Sequence, residues 1–246
     1  MWLVGWALVA QAQEAAATAA AKALPIELGA QAYFNAGGVF MLQPDDNKGG
    51  DPGLPFNGFA GFSPGAGFGL EFRAFRVVGL EINATRWHQV AKSEFTLNDE
   101  TWNWSIAQNA WQVPVLLQLT APTGAVQPNL FVGPEFVFPG AATVTDPAWP
   151  LAVDLSAGTD AYTLLTFGLG FEFVPPIPKV DLRIPFDIRL STSPGYPKSA
   201  FDRATYYVDG VPYDPESSFG TLTAIDYDSQ WQYQAAVSLG VAYFFL

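Results

Sequence analysis

The chain contains no cysteine, which removes disulfide frameworks, thiolate metal sites, iron–sulfur clusters and cysteine nucleophiles together. His88 is its only histidine, so a site built on two imidazoles is excluded as well. Charge is scarce: 14% of the residues are charged, against roughly 25% in an ordinary soluble domain. The few charges are mostly acidic, and a net charge of -12 argues against a nucleic-acid partner. Long hydrophobic runs are missing too. The longest apolar stretch, Met1 to Ala10, falls far short of the roughly 20 residues a helix needs to cross a bilayer. What the chain has instead is hydrophobic residues (50%), aromatics (15%) and 23 glycines.

The apolar residues are organised with a period of two, which is the period of a β-strand and excludes a helical bundle. In Trp231 to Phe245, the odd positions Trp231, Tyr233, Val237, Leu239, Val241, Tyr243 and Phe245 face one way, and Gln232, Gln234, Ser238 and Gly240 face the other. Lys179 to Ser191 sets Val180, Leu182, Ile184, Phe186, Ile188 and Leu190 against Asp181, Arg183, Asp187 and Arg189. The same alternation runs through Leu165 to Phe173, Leu130 to Phe138, Val78 to Thr85, Gly67 to Arg73 and Ile26 to Asn35. Phe131 falls on the polar side of its segment, and prolines weaken the strand reading there. Between Trp102 and Thr120 the phase is clean only from Trp111, which predicts a bulge upstream.

These segments predict eight strands joined by turns that alternate in length. Short turns fall at 74–76, 121–127 and 174–178, and long connections at 43–57, 90–101, 139–160 and 193–229. All the short turns, and both chain ends, therefore share one rim. That is the layout of an eight-stranded antiparallel up-and-down transmembrane β-barrel.

Alternation alone does not say which face is outside; composition does. A soluble barrel carries charged side chains outside, yet here the charges lie on the glycine- and amide-rich face. Glu27, Glu71, Glu81, Glu135, Glu172, Asp181 and Asp187, with Arg73, Arg183 and Arg189, form a predicted lumen network, since buried charges persist only when paired and hydrogen-bonded. The apolar face is left for lipid, where a basic residue at mid-membrane costs about 2–4 kcal/mol. Trp102, Trp104, Trp111, Trp149, Trp231 and Tyr233 fall near strand rims, the place of aromatic girdles.

With these features the chain resembles the eight-stranded outer-membrane barrels of Gram-negative bacteria, the OmpA-like, OmpX-like and PorT-like porin-family proteins. The resemblance spans Leu24 to Leu246 and rests on Gly67-Phe68-Gly69-Leu70-Glu71-Phe72, on Val113-Pro114-Val115-Leu116-Leu117 leading to Gln127-Pro128, and on Leu239-Gly240-Val241-Ala242-Tyr243-Phe244-Phe245. It implies an integral outer-membrane location, contact with lipid and lipopolysaccharide, and recognition of the last strand by the barrel assembly machinery. Members of the family usually end on an aromatic residue; here Leu246 follows Phe245. Residues 1–12 then read as a signal segment with an Ala10-Gln11-Ala12 cleavage site but no positive leader. Residues 13–23 read as a short periplasmic tail, and 24–246 as the barrel.

Some barrels of this size are enzymes that activate a serine with a histidine, which leaves His88 as the only candidate base. It continues the lipid-facing run Leu80, Ile82, Ala84, and the nearest serine in sequence is Ser93, so the expectation is an interfacial histidine, with no catalytic residue, cofactor or metal. In the fourth long loop, Tyr206, Tyr207, Tyr213, Asp214 and Tyr227 form a candidate binding surface for an envelope protein partner, because tyrosine offers contact area at low entropic cost. The leading expectation is a non-enzymatic anchor displaying loops for envelope integrity, adhesion or assembly. The alternatives are a narrow porin or conduit for small hydrophobic molecules and, third, a lipid-modifying enzyme.

Overall fold

The computed structural model describes residues 26–41, 59–97, 100–145, 151–154, 161–193, 205–208, 211–212 and 232–245. Eight antiparallel strands close into a barrel: β1 (Ile26–Met41), β2 (Phe59–Ala74), β3 (Val78–Leu97), β4 (Glu100–Thr120), β5 (Val126–Thr145), β7 (Tyr162–Phe173), β8 (Asp181–Thr192) and β11 (Gln232–Phe244). Each strand pairs with its sequence neighbour in the wall, and β11 closes against β1 through Gly29↔Phe244 to Met41↔Gln232. Closure removes the edges that an open sheet would leave unpaired. The segments expected to be a signal and a tail lie outside the described residues.

The strands run further past the long-connection rim than periodicity suggests. Of the stretch 90–101, expected as a loop, residues 90–97 and 100–101 are paired strand, in which Val90 faces Ala107 and Leu97 faces Glu100. The apolar alternation stops at the exposed Lys92 without ending the ladder, because backbone pairing needs no lipid-facing side chain. Likewise, β5 continues to Thr145 inside the connection expected at 139–160. A second, three-stranded sheet stands outside the barrel wall, made of β6 (Leu151–Asp154), β9 (Thr205–Val208) and β10 (Val211–Pro212). It joins the third and fourth long connections, Leu151 pairing with Val208 and Asp154 with Thr205. The expected bulge is present where the β4–β5 register shifts between Gln108 and Ala110.

At the opposite rim, β2 and β3 meet in a tight turn, with Val77 N–H donating to the Ala74 carbonyl at 3.0 Å. Its central residues, Phe75 and Arg76, have φ of 54° and 61°. This two-residue hairpin geometry normally selects Asn-Gly, so the turn holds Phe75 and Arg76 at a conformational cost.

The wall is apolar outside and polar inside. Phe34 is 76% exposed, Phe62 64%, Phe68 63% and Leu130 60%. The intervening residues Glu27, Glu71, Arg73, Glu81, Gln112, Gln118, Glu172 and Arg189 are buried. Phe131 corrects the reading of β5: it points inward and is buried, and the strand stays continuous across it. Its cross-strand partner is Gly168, where an added Cβ would lie 2.5 Å from the Phe131 ring. The same pairing recurs for every inward aromatic of this group: Phe244 with Gly29, Trp87 with Gly65, and Tyr33 with Gly67 and Gly240. Glycine opposite an aromatic gives the ring room across the narrow lumen of eight strands.

The charged lumen as candidate functional site

Two arginine-centred clusters and a hydroxyl-bound carboxylate occupy the lumen. Nearest the short-turn rim, β2 delivers Arg73 and β8 delivers Arg183 at inward positions, each against the Phe244 ring from β11. The guanidinium carbons lie 5.2 Å and 3.7 Å from the ring centroid. Arg73 engages Glu172 with both terminal nitrogens, one at 3.0 Å, while its Nε donates to Glu71 at 2.7 Å. Such two-point pairing fits the planar guanidinium fork. Arg183 donates to Glu27 at 2.8 Å and to both oxygens of Asp181 at 3.0 Å. The turn residue Arg76 adds a second bond to Glu27 at 2.6 Å. An open vestibule of about 740 Å³ below this cluster is lined by Glu27, Arg76, Asp181 and Arg183 with the Val174–Val180 turn.

Further up the lumen, Arg189 Nη2 reaches Asp187 at 3.1 Å and Glu81 at 3.2 Å. Its guanidinium lies over Tyr33 and Phe131, at 5.7 Å and 5.3 Å from their centroids. Asn83 donates to Glu81 and accepts from Gln31 at 2.9 Å. Glu135 stands apart. It accepts from the hydroxyls of Thr166 and Ser191, the latter at 2.8 Å, and has no cationic partner among the described residues. A cavity of about 10 Å³ beside Glu135 and Arg189 is room for one water molecule. Towards the loop rim the filling becomes neutral, with Gln112 donating to Gln234 at 3.2 Å and Ala110, Val137 and Leu164 packed together.

The structure places Glu27, Glu71, Arg73, Glu81, Glu135, Glu172, Arg183, Asp187 and Arg189 inside the lumen, sorted by height into separate groups, and Asp181 half-buried at its mouth. Four partners escaped sequence reasoning: Phe244, Tyr33, Phe131 and Arg76. The glycines opposite the three aromatics are their sequence signal, whereas Arg76 carries none, because only the hairpin brings it to Glu27. Of the loop residues, Tyr206 and Tyr207 belong to β9, with Tyr207 paired to Ala152 and Pro212; Tyr213, Asp214 and Tyr227 lie outside the described residues. His88 is exposed on the outer wall, its Nδ1 3.1 Å from Asn109 Oδ1, an oxygen that only accepts.

A belt of exposed Phe, Leu, Val and Ile around a closed wall has no stable place in water, and a charge-filled interior supplies no other core. The chain forms a transmembrane β-barrel of the outer-membrane type. Half-exposed Trp111, Phe138, Tyr233 and Phe40 ring it towards the long loops, with Phe72, Phe173 and Tyr243 at the other edge, as the two membrane interfaces require. Among solved structures, the barrel is similar to Neisserial surface protein A (12% identity, 89% of this chain and 97% of that chain, TM-score 0.45). It is also similar to outer membrane protein OprG from Pseudomonas aeruginosa (13%, 89% and 95%, TM-score 0.44) and to Ail, the attachment invasion locus protein of Yersinia pestis (11%, 90% and 100%, TM-score 0.31). Identities this low speak to the fold alone. No protein-family model matches the chain, and no curated protein matches it in sequence.

Two substitutions test the packing of the barrel interior. Gly29→Val is expected to displace Phe244, since a Cβ at position 29 would already lie 2.8 Å from that ring; the expected cost is about 1–3 kcal/mol in urea unfolding from lipid vesicles. Glu135→Gln keeps an acceptor for Thr166 and Ser191 while removing a buried charge without a counter-ion. It is expected to leave stability within about 1 kcal/mol of the parent or to raise it, and a loss beyond about 2 kcal/mol would contradict this account of Glu135.

Proposed function

We propose that the protein is a non-enzymatic outer-membrane anchor: a sealed barrel that holds long connections at one rim for adhesion, envelope integrity or assembly with an envelope partner. The observation carrying this reading is the filled lumen. Arg73 is 0% exposed, its carboxylates are tied across the barrel, and an apolar layer of Ala110, Val137 and Leu164 lies above. A conduit would need a continuous wet path, whereas the cavity beside Glu135 holds one water. The small sheet joining two long connections favours display, because it gives otherwise separate loops a shared, hydrogen-bonded base. The tyrosines Tyr206, Tyr207, Tyr213 and Tyr227, with Asp214, supply its contact chemistry. An enzymatic role is disfavoured by the position of His88, which faces away from every lumen carboxylate and is hydrogen-bonded to an amide. Strand β11, which ends in Phe244 and is followed by Phe245, is the element offered to the assembly machinery.

Two measurements test the reading. Vesicles bearing the refolded barrel should show no sugar-driven swelling above empty vesicles. A photocrosslinker at position 207 on intact cells should capture a defined envelope component, and protease should nick within 193–229. Swelling, together with complete protection of that loop, would overturn the anchor reading.

A further inference from the structure

Three described residues other than glycine hold a positive φ: Phe75, Arg76 and Lys179, at 54°, 61° and 66°. All three lie in turns of the short-turn rim, in a backbone region that favours glycine. The same rim does use glycine where it turns between β4 and β5, with Gly124 at φ 71°. Lys179 follows Pro178 in a turn closed by Val180 N–H on the Ile177 carbonyl at 3.4 Å, at the position where this kind of turn calls for glycine. Two of the three strained residues are therefore cations, and both line the open vestibule of about 740 Å³. Backbone strain kept at a concave site is a mark of function.

The charges of the vestibule are unequally used. Its cations are Arg76, Lys179 and Arg183 and its carboxylates Glu27 and Asp181, one positive charge in excess. Both carboxylates are occupied: Glu27 accepts from Arg76 at 2.6 Å and Arg183 at 2.8 Å, and Asp181 accepts from Arg183 at 3.0 Å on each oxygen. The cations have donors to spare. Arg76 Nη2 stands 3.7 Å from Asp181, beyond a hydrogen bond. The exposed Lys179 ammonium makes no ion pair or hydrogen bond among the described residues.

Around these donors the lining is apolar and preformed. Pro175, Pro176 and Ile177 stand on one side, and Tyr243 and Phe245 at the end of β11 on the other. The prolines fix their own φ, and Val174 N–H ties the turn to the Ala125 carbonyl at 2.8 Å. A rigid pocket of this size, apolar with a few convergent donors, suits a small molecule.

We propose that the vestibule is a binding site, open to the periplasm, for a small amphipathic carboxylate. Lys179 and the free edge of Arg76 take the carboxylate, and the proline turn with Tyr243 and Phe245 takes the apolar body. The Arg183–Phe244 layer closes the pocket above, so the ligand is held at the mouth of a sealed barrel. The proposal rests on the transmembrane-barrel reading with the short turns on the periplasmic side.

The test uses the full chain in phosphatidylcholine nanodiscs, titrated with phenylbutyrate, phenylbutylamine and phenylbutanol and followed by the amide shifts of Ile177 and Phe245. Wild type should bind the acid about tenfold more tightly than the amine or the alcohol, the discrimination one charge-assisted contact supplies. Lys179→Gly and Lys179→Gln should both lose that preference, while only Lys179→Gly, which relieves the left-handed position, should raise the urea midpoint. Equal binding of the three probes, or a preference kept in both variants, overturns the site. A midpoint that does not rise in Lys179→Gly overturns it as well, because the lysine would then serve the turn. Displacement of the acid by phosphatidylglycerol added to the nanodiscs overturns it in favour of a bilayer lipid. Failure of wild type to insert would sink the barrel reading itself, whereas insertion without preference sinks only this site.

Discussion

Replacing Arg73 with alanine is expected to destabilise the barrel by about 3–5 kcal/mol, the cost of leaving buried charges without their partner. Arg73 is fully buried and holds Glu172 with two nitrogens and Glu71 with a third. No other group replaces it. Arg183 approaches Glu172 only at 3.5 Å and is already shared between Glu27 and Asp181. The loss should come from stranded carboxylates more than from the missing bonds. Arg73→Met combined with Glu71→Gln and Glu172→Gln should therefore recover most of the stability, as neutral replacement of a buried ionic cluster often does. Urea unfolding from lipid vesicles measures both. An alanine variant within about 0.5 kcal/mol of wild type, the range of ordinary surface substitutions, would mean that the cluster does not hold the wall together.

Leu169→Arg should cost about 2–4 kcal/mol in a bilayer. Leu169 is 54% exposed on β7, between Leu130 and Ile188 in register. It lies four residues from Phe173 at the lower girdle, so its depth is near 10 Å, close to mid-membrane. The prediction separates two environments that the same exposed surface would meet. In water an exposed leucine replaced by arginine is close to neutral; in hydrocarbon the guanidinium must be solvated by deforming the bilayer. A change below about 0.5 kcal/mol in vesicles would put the apolar belt in water.

The faces of the wall were legible in the sequence because lipid and lumen impose opposite chemistry on alternate residues of one strand. The ladder from Val180 to Leu190 carries that division without exception. Three things were less legible. Strand ends beyond the membrane, as at Lys92 to Leu97, lose the apolar signal while keeping the backbone pairing. Phe131 and Phe244 break the alternation, and only the register, with Gly168 and Gly29 opposite them, shows why large rings fit inside. The sorting of the carboxylates among arginines also depends on register. Arg73 and Glu172 are 99 positions apart in the chain and come from β2 and β7, which are not wall neighbours. They meet across the lumen, a contact that no local spacing encodes. The small β6–β9–β10 sheet belongs to the same class, since segments of four residues and fewer leave too short a pattern to read.

The measurement that bears most directly on the sealed interior is single-channel conductance of the refolded barrel in a planar bilayer, with Arg73→Ala and Arg183→Ala alongside. Wild type should insert and remain silent at moderate voltage, and the alanine variants should show brief, noisy openings where the lower cluster has been loosened. Steady, discrete currents from the wild-type protein, altered in size or selectivity by either substitution, would contradict a plugged anchor and make the charged lumen a route for ions.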